Sequence, residues 1–237
     1  MPEVSEGDRL GDLIVAAGDP EGDEVAVVSQ KVVSKSEGRL RRLADVSPGN
    51  RARELADATG KDPALVELIL SESKAVIRAA PGVLITETLA GWICANAGID
   101  SSNLPADGWV ALLPVDADDS ARRIRDEIKE SSGAAPAVIV ADSFGRPWRL
   151  GQADVALGCA GIAPIADWRG RRDQHGRALA ATAIALVDEL AGAADLVRDK
   201  DEGVPGAVLS GLGHLVSADH GPGAGALRRP AGEDLFR

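Results

Sequence analysis

Apolar positions along the chain recur with two periods, one typical of strands and one typical of helices. Short apolar runs rich in β-branched residues predict strands over residues 24–33, 83–89, 91–94, 109–113, 137–141 and 204–209. Apolar residues spaced three and four apart predict helices that begin at Ser47, at Asp62 and after the acidic run 116–119, and a longest helix over residues 178–197. Residues 211–237 are rich in Gly, Pro and charge, which predicts a linker or a mobile tail.

The most informative stretch is VIVADSFGRPWRLGQ, residues 138–152, in which a buried strand is followed by polar residues. Asp142, Ser143, Arg146 and Arg149 follow the apolar run within eight positions. Ligands bind outside the carboxyl ends of strands in sheets covered by helices, so this loop is a candidate site. The alternative is a solvated turn in which the arginines pair with Asp142 or Asp154.

A second polar cluster, NAGIDSSN at residues 96–103, follows the predicted hairpin formed by 83–89 and 91–94. Its amide, carboxylate and hydroxyl oxygens, together with Asp142 and Ser143, are ligands that suit Mg²⁺ or Mn²⁺. The alternative is a network of Asx turns without a metal. Lys31 and Lys35 form a third polar cluster after the strand 24–33.

Two further charged segments have simpler interpretations. The carboxylates at 116–119 precede a helix and would complement its dipole, although metal binding stays open. The basic segment 167–177 is typical of a solvated loop, with an anionic substrate as the alternative.

Composition narrows the function classes. The net charge of −11 argues against nucleic acid or an acidic membrane surface as partner, so any phosphate must be bound locally. The sequence contains no P-loop, dinucleotide fingerprint, HExxH, CxxC or GxSxG motif. Two isolated cysteines, the absence of a leader in MPEVSEGDRL and the absence of a membrane-length apolar run predict a cytoplasmic protein.

These blocks, taken in order, resemble the GTP-dependent F420-0:gamma-glutamyl ligase family over nearly the whole chain. The resemblance is carried by PEVSEGDRLGDLI, GDEVAVVSQKVVSKSEGR, GVLITET, CANAGIDSSN, LLPVDADDSARRIR and VIVADSFGRPWRLGQADVALGCAGI. It implies an α+β fold with a mixed sheet and packed helices, in which strands 24–33, 83–95 and 137–141 are central. It also implies an intertwined homodimer, a catalytic domain over residues 1–210 and a tail over residues 211–237.

The family's functional residues can be transferred by position. Asp100, Asp142 and Ser143 would bind two divalent cations, Mn²⁺ or Mg²⁺, with K⁺ as a further cofactor, and Asp100, Asp142 and Lys35 would be catalytic. GTP would be bound by Pro2, Glu3, Val4, Gln30, Lys31, Lys35, Asn103, Arg198, Asp199, Lys200, Asp201, Glu202, Gly203 and Val204. Arg146 and Arg149 are candidates for binding the anionic deazaflavin or glutamate, because guanidinium groups bind carboxylate and phosphate at two points.

The implied reaction is amide formation. GTP would phosphorylate the lactyl carboxylate of F420-0, and the amine of L-glutamate would attack the acyl phosphate. Two other functions remain alternatives, a catalytically silent binder of GTP or deazaflavin and a metal-dependent phosphohydrolase.

The chain also departs from the family pattern. A leading strand and Gly-Leu before Pro2 are not present, and Arg198-Asp199-Lys200 stands where the family often has Met-Gly-Lys. The final residues RPAGEDLFR resemble the segment that leads into an FMN-binding domain in fused actinobacterial enzymes.

Overall fold

The computed structural model describes residues 1–102, 104, 106–198 and 203–234. Its helices are α1 (Leu10–Gly18), α2 (Gln30–Ser36), α3 (Asn50–Thr59), α4 (Pro63–Ser71), α5 (Ala117–Ser132) and α6 (Leu186–Asp195). Its strands are β1 (Val25–Ser29), β2 (Leu40–Arg42), β3 (Ser73–Ala80), β4 (Val83–Thr88), β5 (Ile93–Ala95), β6 (Trp109–Ala111), β7 (Ala137–Arg146), β8 (Arg149–Ala160), β9 (Ala166–Asp167), β10 (Ala183–Ile184) and β11 (Gly206–Leu209). The predicted α+β fold with a mixed sheet is confirmed.

A four-stranded mixed sheet in the order β11-β1-β7-β8 forms the centre of the molecule. Strands β1 and β7 run parallel, with Val25 beside Ala137 and Ser29 beside Ala141, and the outer strands are antiparallel to them. The carboxyl end of β1 therefore lies beside the middle of β7, at Ala141. This arrangement brings the start of α2 close to Asp142.

Helices cover both faces of this sheet because successive residues of a buried strand point to opposite sides. One face packs on α1 and α5 through Leu10, Ile14, Ile124, Ile128, Val138 and Val140. The other face packs on α6 through Val25, Val27, Ile139, Val187, Leu190 and Ala194. The apolar run 137–141 is fully buried, as the sequence predicts.

A smaller antiparallel sheet, β3-β4-β5, packs on α3 and α4. The predicted helix stripes are confirmed, because Ala52, Leu55 and Ala56 of α3 and Val66 and Ile69 of α4 are buried. The predicted hairpin is also confirmed as β4 and β5, whereas β3 was not predicted. The expectation that strands 83–95 are central is wrong, because they belong to this smaller sheet. Strand β5 contacts β7 and continues into residues 96–102. The small sheet thereby delivers the second polar cluster to the central sheet.

The predicted strand 24–33 is wrong in its second half, because β1 ends at Ser29 and α2 begins at the next residue. The hydroxyl of Ser29 accepts a hydrogen bond from the N–H of Lys31 and so caps the helix. Lys31 and Lys35 therefore lie one helical turn apart on α2. The apolar valines of this segment fit the core on either a strand or a helix, so their pattern was ambiguous.

The predicted polar loop after Ala141 is also wrong, because β7 continues to Arg146 and pairs with β8 in a long hairpin. The turn contains Trp148 in a left-handed conformation, with φ of 58°. Polar residues can extend this hairpin because its outer half is exposed, and backbone pairing holds its strands together with a hydrogen bond from the Arg146 guanidinium to the carbonyl oxygen of Leu150 at 3.2 Å.

The predicted helix 178–197 is wrong over its first half. Residues 183–184 form β10, which pairs with β9, and α6 begins at Leu186. The small apolar residues of this segment suit a helical stripe, but the backbone of 178–182 pairs with the polar segment 167–177 instead. Arg172 and Ala178 form a bridge, and the N–H of Trp168 donates to the carbonyl oxygen of Thr182 at 3.0 Å. The longest helix is α5, which the acidic residue Asp116 caps through the N–H of Asp119.

The described part of residues 211–237 packs against the rest of the chain. This differs from the linker or mobile tail that the sequence predicts. Ala224 is fully buried in the α6-side core. The guanidinium of Arg125 in α5 donates to the carbonyl oxygens of Ser217 and Asp219 at 2.5 and 3.0 Å. The domain boundary after residue 210 stays a prediction. No helix in the described ranges combines the length and apolarity needed to cross a membrane.

Candidate active site

A cleft of about 1100 Å³ opens at the carboxyl end of β1, beside residues 141–145 of β7. Its walls come from residues 1–4, from β1 and α2, from the turn after β5, from the middle of the β7–β8 hairpin and from the segment that precedes β11. Chain segments far apart in sequence thus meet at one edge of the central sheet. This is the position at which open sheets of this kind bind ligands.

The turn after β5 is held against α2 by Lys31. Its Nζ atom lies 2.8 Å from Oδ2 of Asp100 and 2.7 Å from Oγ of Ser102. The N–H of Ser102 donates to Oδ1 of Asp100 at 2.7 Å. Burial raises the pKa of Asp100, but Lys31 and Ser102 outweigh this, so the pKa lies below its usual value. Asp100 is therefore ionised in the structure.

Asp142 has the opposite electrostatic environment. Its pKa is raised to about 7, mainly by burial and also by the charges of Asp100 and Asp154, while the Ser143 N–H and Lys31 oppose the shift. Three carboxylates thus converge on one wall of the cleft. Such mutual repulsion is relieved when a cation binds between the carboxylates.

A buried chain of polar contacts lies behind this wall. Oγ of Ser143 donates to Oδ1 of Asp154 at 2.5 Å, and the other oxygen of Asp154 accepts from the guanidinium of Arg198. Asp154 is 4% exposed and Arg198 is 5% exposed. The contacts tie β7 and β8 to the residue that follows α6.

Cationic side chains line the same cleft. Lys35 is buried, and its Nζ lies 2.5 Å from Oε1 of Glu3, which fixes residues 1–4 over α2. Lys31 and Arg198 also line the cleft. Ammonium and guanidinium groups beside a carboxylate wall are suited to bind phosphate groups that share a divalent cation with the carboxylates.

The oxygens of Asp100, Asp142 and Ser143 fit a divalent metal that keeps ligands from water or substrate. Within the described ranges, no group of three or more His, Cys, Asp or Glu is arranged to hold a metal alone. Mg²⁺ and Mn²⁺ sites commonly use one or two carboxylates plus substrate phosphates. The donor set here matches that type and not an all-protein cage.

Most of the residues singled out from the sequence line this cleft. They are Pro2, Glu3, Val4, Lys31, Lys35, Asp100, Asp142, Ser143, Arg198, Gly203 and Val204. Gln30 is different, because its side chain is fully buried and its Oε1 accepts from Ser34. Arg146 and Arg149 lie on the exposed outer half of the hairpin and are not among the lining residues.

Asn103, Asp199, Lys200, Asp201 and Glu202 lie outside the described residues. The metal, nucleotide and substrate roles of all these positions stay predictions.

Asp154 also lines the cleft, although the sequence predicted no role for it beyond pairing with the arginines. Asp154 is an acidic residue within the otherwise apolar strand segment ADVALGCA, and such a buried charge was the available signal. Asn96 and Ala97 both have left-handed backbones, with φ of 54° and 53°. Oδ1 of Asn96 is buried without a hydrogen-bond partner among the described residues. Backbone strain of this kind is concentrated at functional sites.

Comparison with known proteins agrees with this geometry. Residues 1–211 match the family model of F420-0:Gamma-glutamyl ligase. The chain is 43% identical to the coenzyme F420:L-glutamate ligase of Methanothermobacter thermautotrophicus, covering 100% of this chain and 96% of that protein. It is also 43% identical to the protein of the same name from Methanopyrus kandleri, covering 99% of this chain and 94% of that protein. The identity to the Haloarcula marismortui protein of that name is again 43%, covering 100% of this chain and 90% of that protein.

Proposed function

The chain belongs to the F420-0:gamma-glutamyl ligase family, and we propose that it uses GTP to join L-glutamate to coenzyme F420-0. The observation that carries the proposal is the convergence of Lys31, Asp100 and Asp142 in one cleft. Cationic groups beside a cluster of carboxylates suit phosphoryl transfer, in which positioning and charge neutralisation supply most of the catalysis. The absence of a P-loop requires the phosphates to be bound by such scattered groups.

The reaction has two balanced steps. An oxygen of the lactyl carboxylate attacks the γ-phosphorus of GTP, and the bond to the bridging oxygen breaks with its electrons leaving on GDP. The glutamate amine then attacks the acyl carbon, and phosphate leaves with the C–O bonding pair. The amine loses a proton to solvent, so the products are F420-1, GDP and phosphate.

The cationic side chains and the carboxylates of the cleft have different parts in this reaction. Lys31 and Lys35 neutralise the transferring phosphoryl group, and Arg198, Gly203, Val204 and residues 2–4 border the GTP. Asp100, Asp142 and Ser143 would hold two divalent cations, Mn²⁺ or Mg²⁺, whose chemistry when bound is charge neutralisation on the phosphates. K⁺ would be a further ionic cofactor.

The protein is further proposed to act as a cytoplasmic homodimer. Apolar side chains of the small sheet are exposed, among them Ile77, Val83 and Ile93, and at the hairpin tip Trp148 is 81% and Leu150 98% exposed. A second copy that covers these residues would bury them. Light scattering at several concentrations tests this, and a monomer throughout would reject it.

Mass spectrometry tests the ligase directly. Purified protein is incubated with F420-0, L-glutamate, GTP and Mn²⁺, alongside Asp100→Ala, Asp142→Ala and the exposed control Asp57→Ala. We expect a product heavier by glutamyl units from wild type and the control but not from the site variants. GTP bound with no product would favour a silent binder, and GTP hydrolysed without glutamate would favour a phosphohydrolase.

A further inference from the structure

Asp154 lies behind the carboxylate wall and connects two sides of the cleft. One of its oxygens accepts from Oγ of Ser143 at 2.5 Å, and the other accepts from Arg198. The residue comes from β8, Ser143 from the neighbouring strand β7, and Arg198 from the segment that leads to Gly203 and Val204. A single buried carboxylate therefore contacts both a proposed metal ligand and a proposed nucleotide contact.

The direction of the Ser143 hydrogen bond matters chemically. Because the hydroxyl donates its proton to Asp154, the lone pairs of Oγ are directed away from that carboxylate, which is the orientation a hydroxyl needs to ligate a cation. Hydrogen bonding to a carboxylate also makes a ligand oxygen more electron-rich. Outer residues that orient metal ligands in this way contribute about 10- to 100-fold to metal affinity.

Arg198 explains why a carboxylate is tolerated at this depth. Both side chains are almost fully buried, and a buried charge needs a partner that is equally well placed. The guanidinium also fixes one oxygen of Asp154, so the other oxygen is held toward Ser143. The ion pair thus preorganises the hydroxyl.

We propose that Asp154 is a positioning residue that orients the Ser143 hydroxyl toward the divalent cation and, through Arg198, anchors the nucleotide side of the cleft. The inference rests on the proposed function in assuming a cation at Ser143. Asp154 itself does not contact the reacting atoms. Its effect on the cation therefore passes through Ser143.

A double-mutant cycle read by Mn²⁺ binding tests the proposal without requiring turnover. Electron paramagnetic resonance measures the Mn²⁺ dissociation constant for wild type, Asp154→Leu, Ser143→Ala and the combination of both. We expect Asp154→Leu to weaken Mn²⁺ binding about 10- to 100-fold in wild type and less than about 3-fold in the Ser143→Ala background. Equal losses in both backgrounds would overturn the positioning role.

Two further variants separate this role from a purely structural one. Asp154→Asn retains an acceptor oxygen for Ser143 but loses the charge, so it should weaken Mn²⁺ binding less than Asp154→Leu does. Asp154→Leu alone leaves the buried charge of Arg198 unpaired, which can prevent folding. The combination of Asp154→Leu with Arg198→Met removes both buried charges and so avoids this problem. It should still show the loss of Mn²⁺ affinity, and wild-type affinity in this folded protein would overturn the proposal.

Failure of the positioning role can be distinguished from failure of the proposed ligase function. Wild type that binds Mn²⁺ but makes no F420-1 would reject the proposed function and leave the Asp154 cycle interpretable. Wild type that makes F420-1 and shows no coupling between Asp154 and Ser143 would reject only the positioning role. Asp57→Leu, an exposed change of the same chemistry on α3, is the matched control.

Discussion

The Nζ atom of Lys31 lies 2.8 Å from Oδ2 of Asp100, and this ion pair joins the first turn of α2 to the turn after β5. Lys31 follows a strand of the central sheet and Asp100 follows a strand of the small sheet, so their contact depends on how the small sheet docks on the central one. The same lysine also lowers the pKa of Asp142 by its charge. Lys31 therefore acts on two carboxylates of this wall, by direct contact with Asp100 and by its charge on Asp142.

Replacing Lys31 by Ala should reduce kcat/KM of the ligase reaction roughly 100-fold, the order of loss seen when one preorganised charged donor is removed. The free energy of unfolding should change by less than about 1 kcal/mol, because the ion pair is partly exposed. Steady-state kinetics and urea unfolding provide the two values. Lys129→Ala, on the exposed side of α5, is the control, and equal kinetic losses in both variants would contradict this role.

The pH dependence of stability should report on Asp142. Because its folded pKa is about 7 and its unfolded pKa is near 3.8, the metal-free folded state binds a proton that the unfolded state lacks between those values. Stability should therefore fall as pH rises from about 4 to 7 and level off above that. Asp142→Asn has no carboxyl group to titrate, so its free energy of unfolding should not fall in this way. At pH 8 that free energy should exceed the wild-type value by roughly 2–4 kcal/mol.

Chemical unfolding of both proteins in EDTA, at intervals from pH 4 to 8, measures this difference. Addition of Mn²⁺ should stabilise wild type at pH 8 but not the variant. Parallel stability curves for the two proteins would show that burial does not perturb Asp142. Asp57→Asn serves as the exposed control.

The Arg125 guanidinium should contribute strongly to stability because it satisfies carbonyl oxygens from two chain segments. It donates to Pro136 at 2.9 Å and to Ser217 and Asp219 in the C-terminal segment. Arg125→Met leaves these buried acceptors unpaired and should lower the free energy of unfolding by about 3 kcal/mol. Thermal unfolding measures this loss of stability. If Arg125→Met loses no more stability than the exposed control Arg53→Met, water replaces the guanidinium.

Gly158 should not tolerate a side chain. A Cβ placed there would lie 2.0 Å from the carbonyl oxygen of Ala117, where the start of α5 crosses β8. Because that oxygen belongs to backbone, Gly158→Ala should cost about 3 kcal/mol or more. The soluble yield and melting temperature are compared with Gly232→Ala, which meets no atom within 4 Å, and similar values for the two would contradict the close approach.

Arg146 and Arg149 remain candidates for the anionic substrate although they lie outside the cleft lining. Replacing both by Ala should raise the KM for F420-0 about 10-fold, the effect of losing a charged hydrogen bond. The KM for GTP and the stability should be unchanged, because both side chains are exposed. A raised KM for GTP instead would assign the hairpin to the nucleotide.

The local elements were predictable because their signals are contained in a few neighbouring residues. Asp62 followed by Pro63 caps α4, and the stripe of Val66 and Ile69 is buried as its spacing indicates. The small residues of VALGCAGI predict close backbone approach, and Gly158 has it. The same local reasoning failed at Gln30, where valines compatible with a strand continue as a helix.

The amino-acid sequence by itself determined the buried strand 137–141, the helix stripes and the two oxygen-rich blocks, because each depends on residues close together in the chain. Only the tertiary structure decided that Lys31 meets Asp100, that Asp154 joins Ser143 to Arg198, and that the C-terminal segment packs on the core. These contacts arise from the parallel pairing of β1 with β7 and the docking of β5, which bring distant residues together. No local periodicity encodes them, since pairing between distant strands is set by the packing of the whole chain.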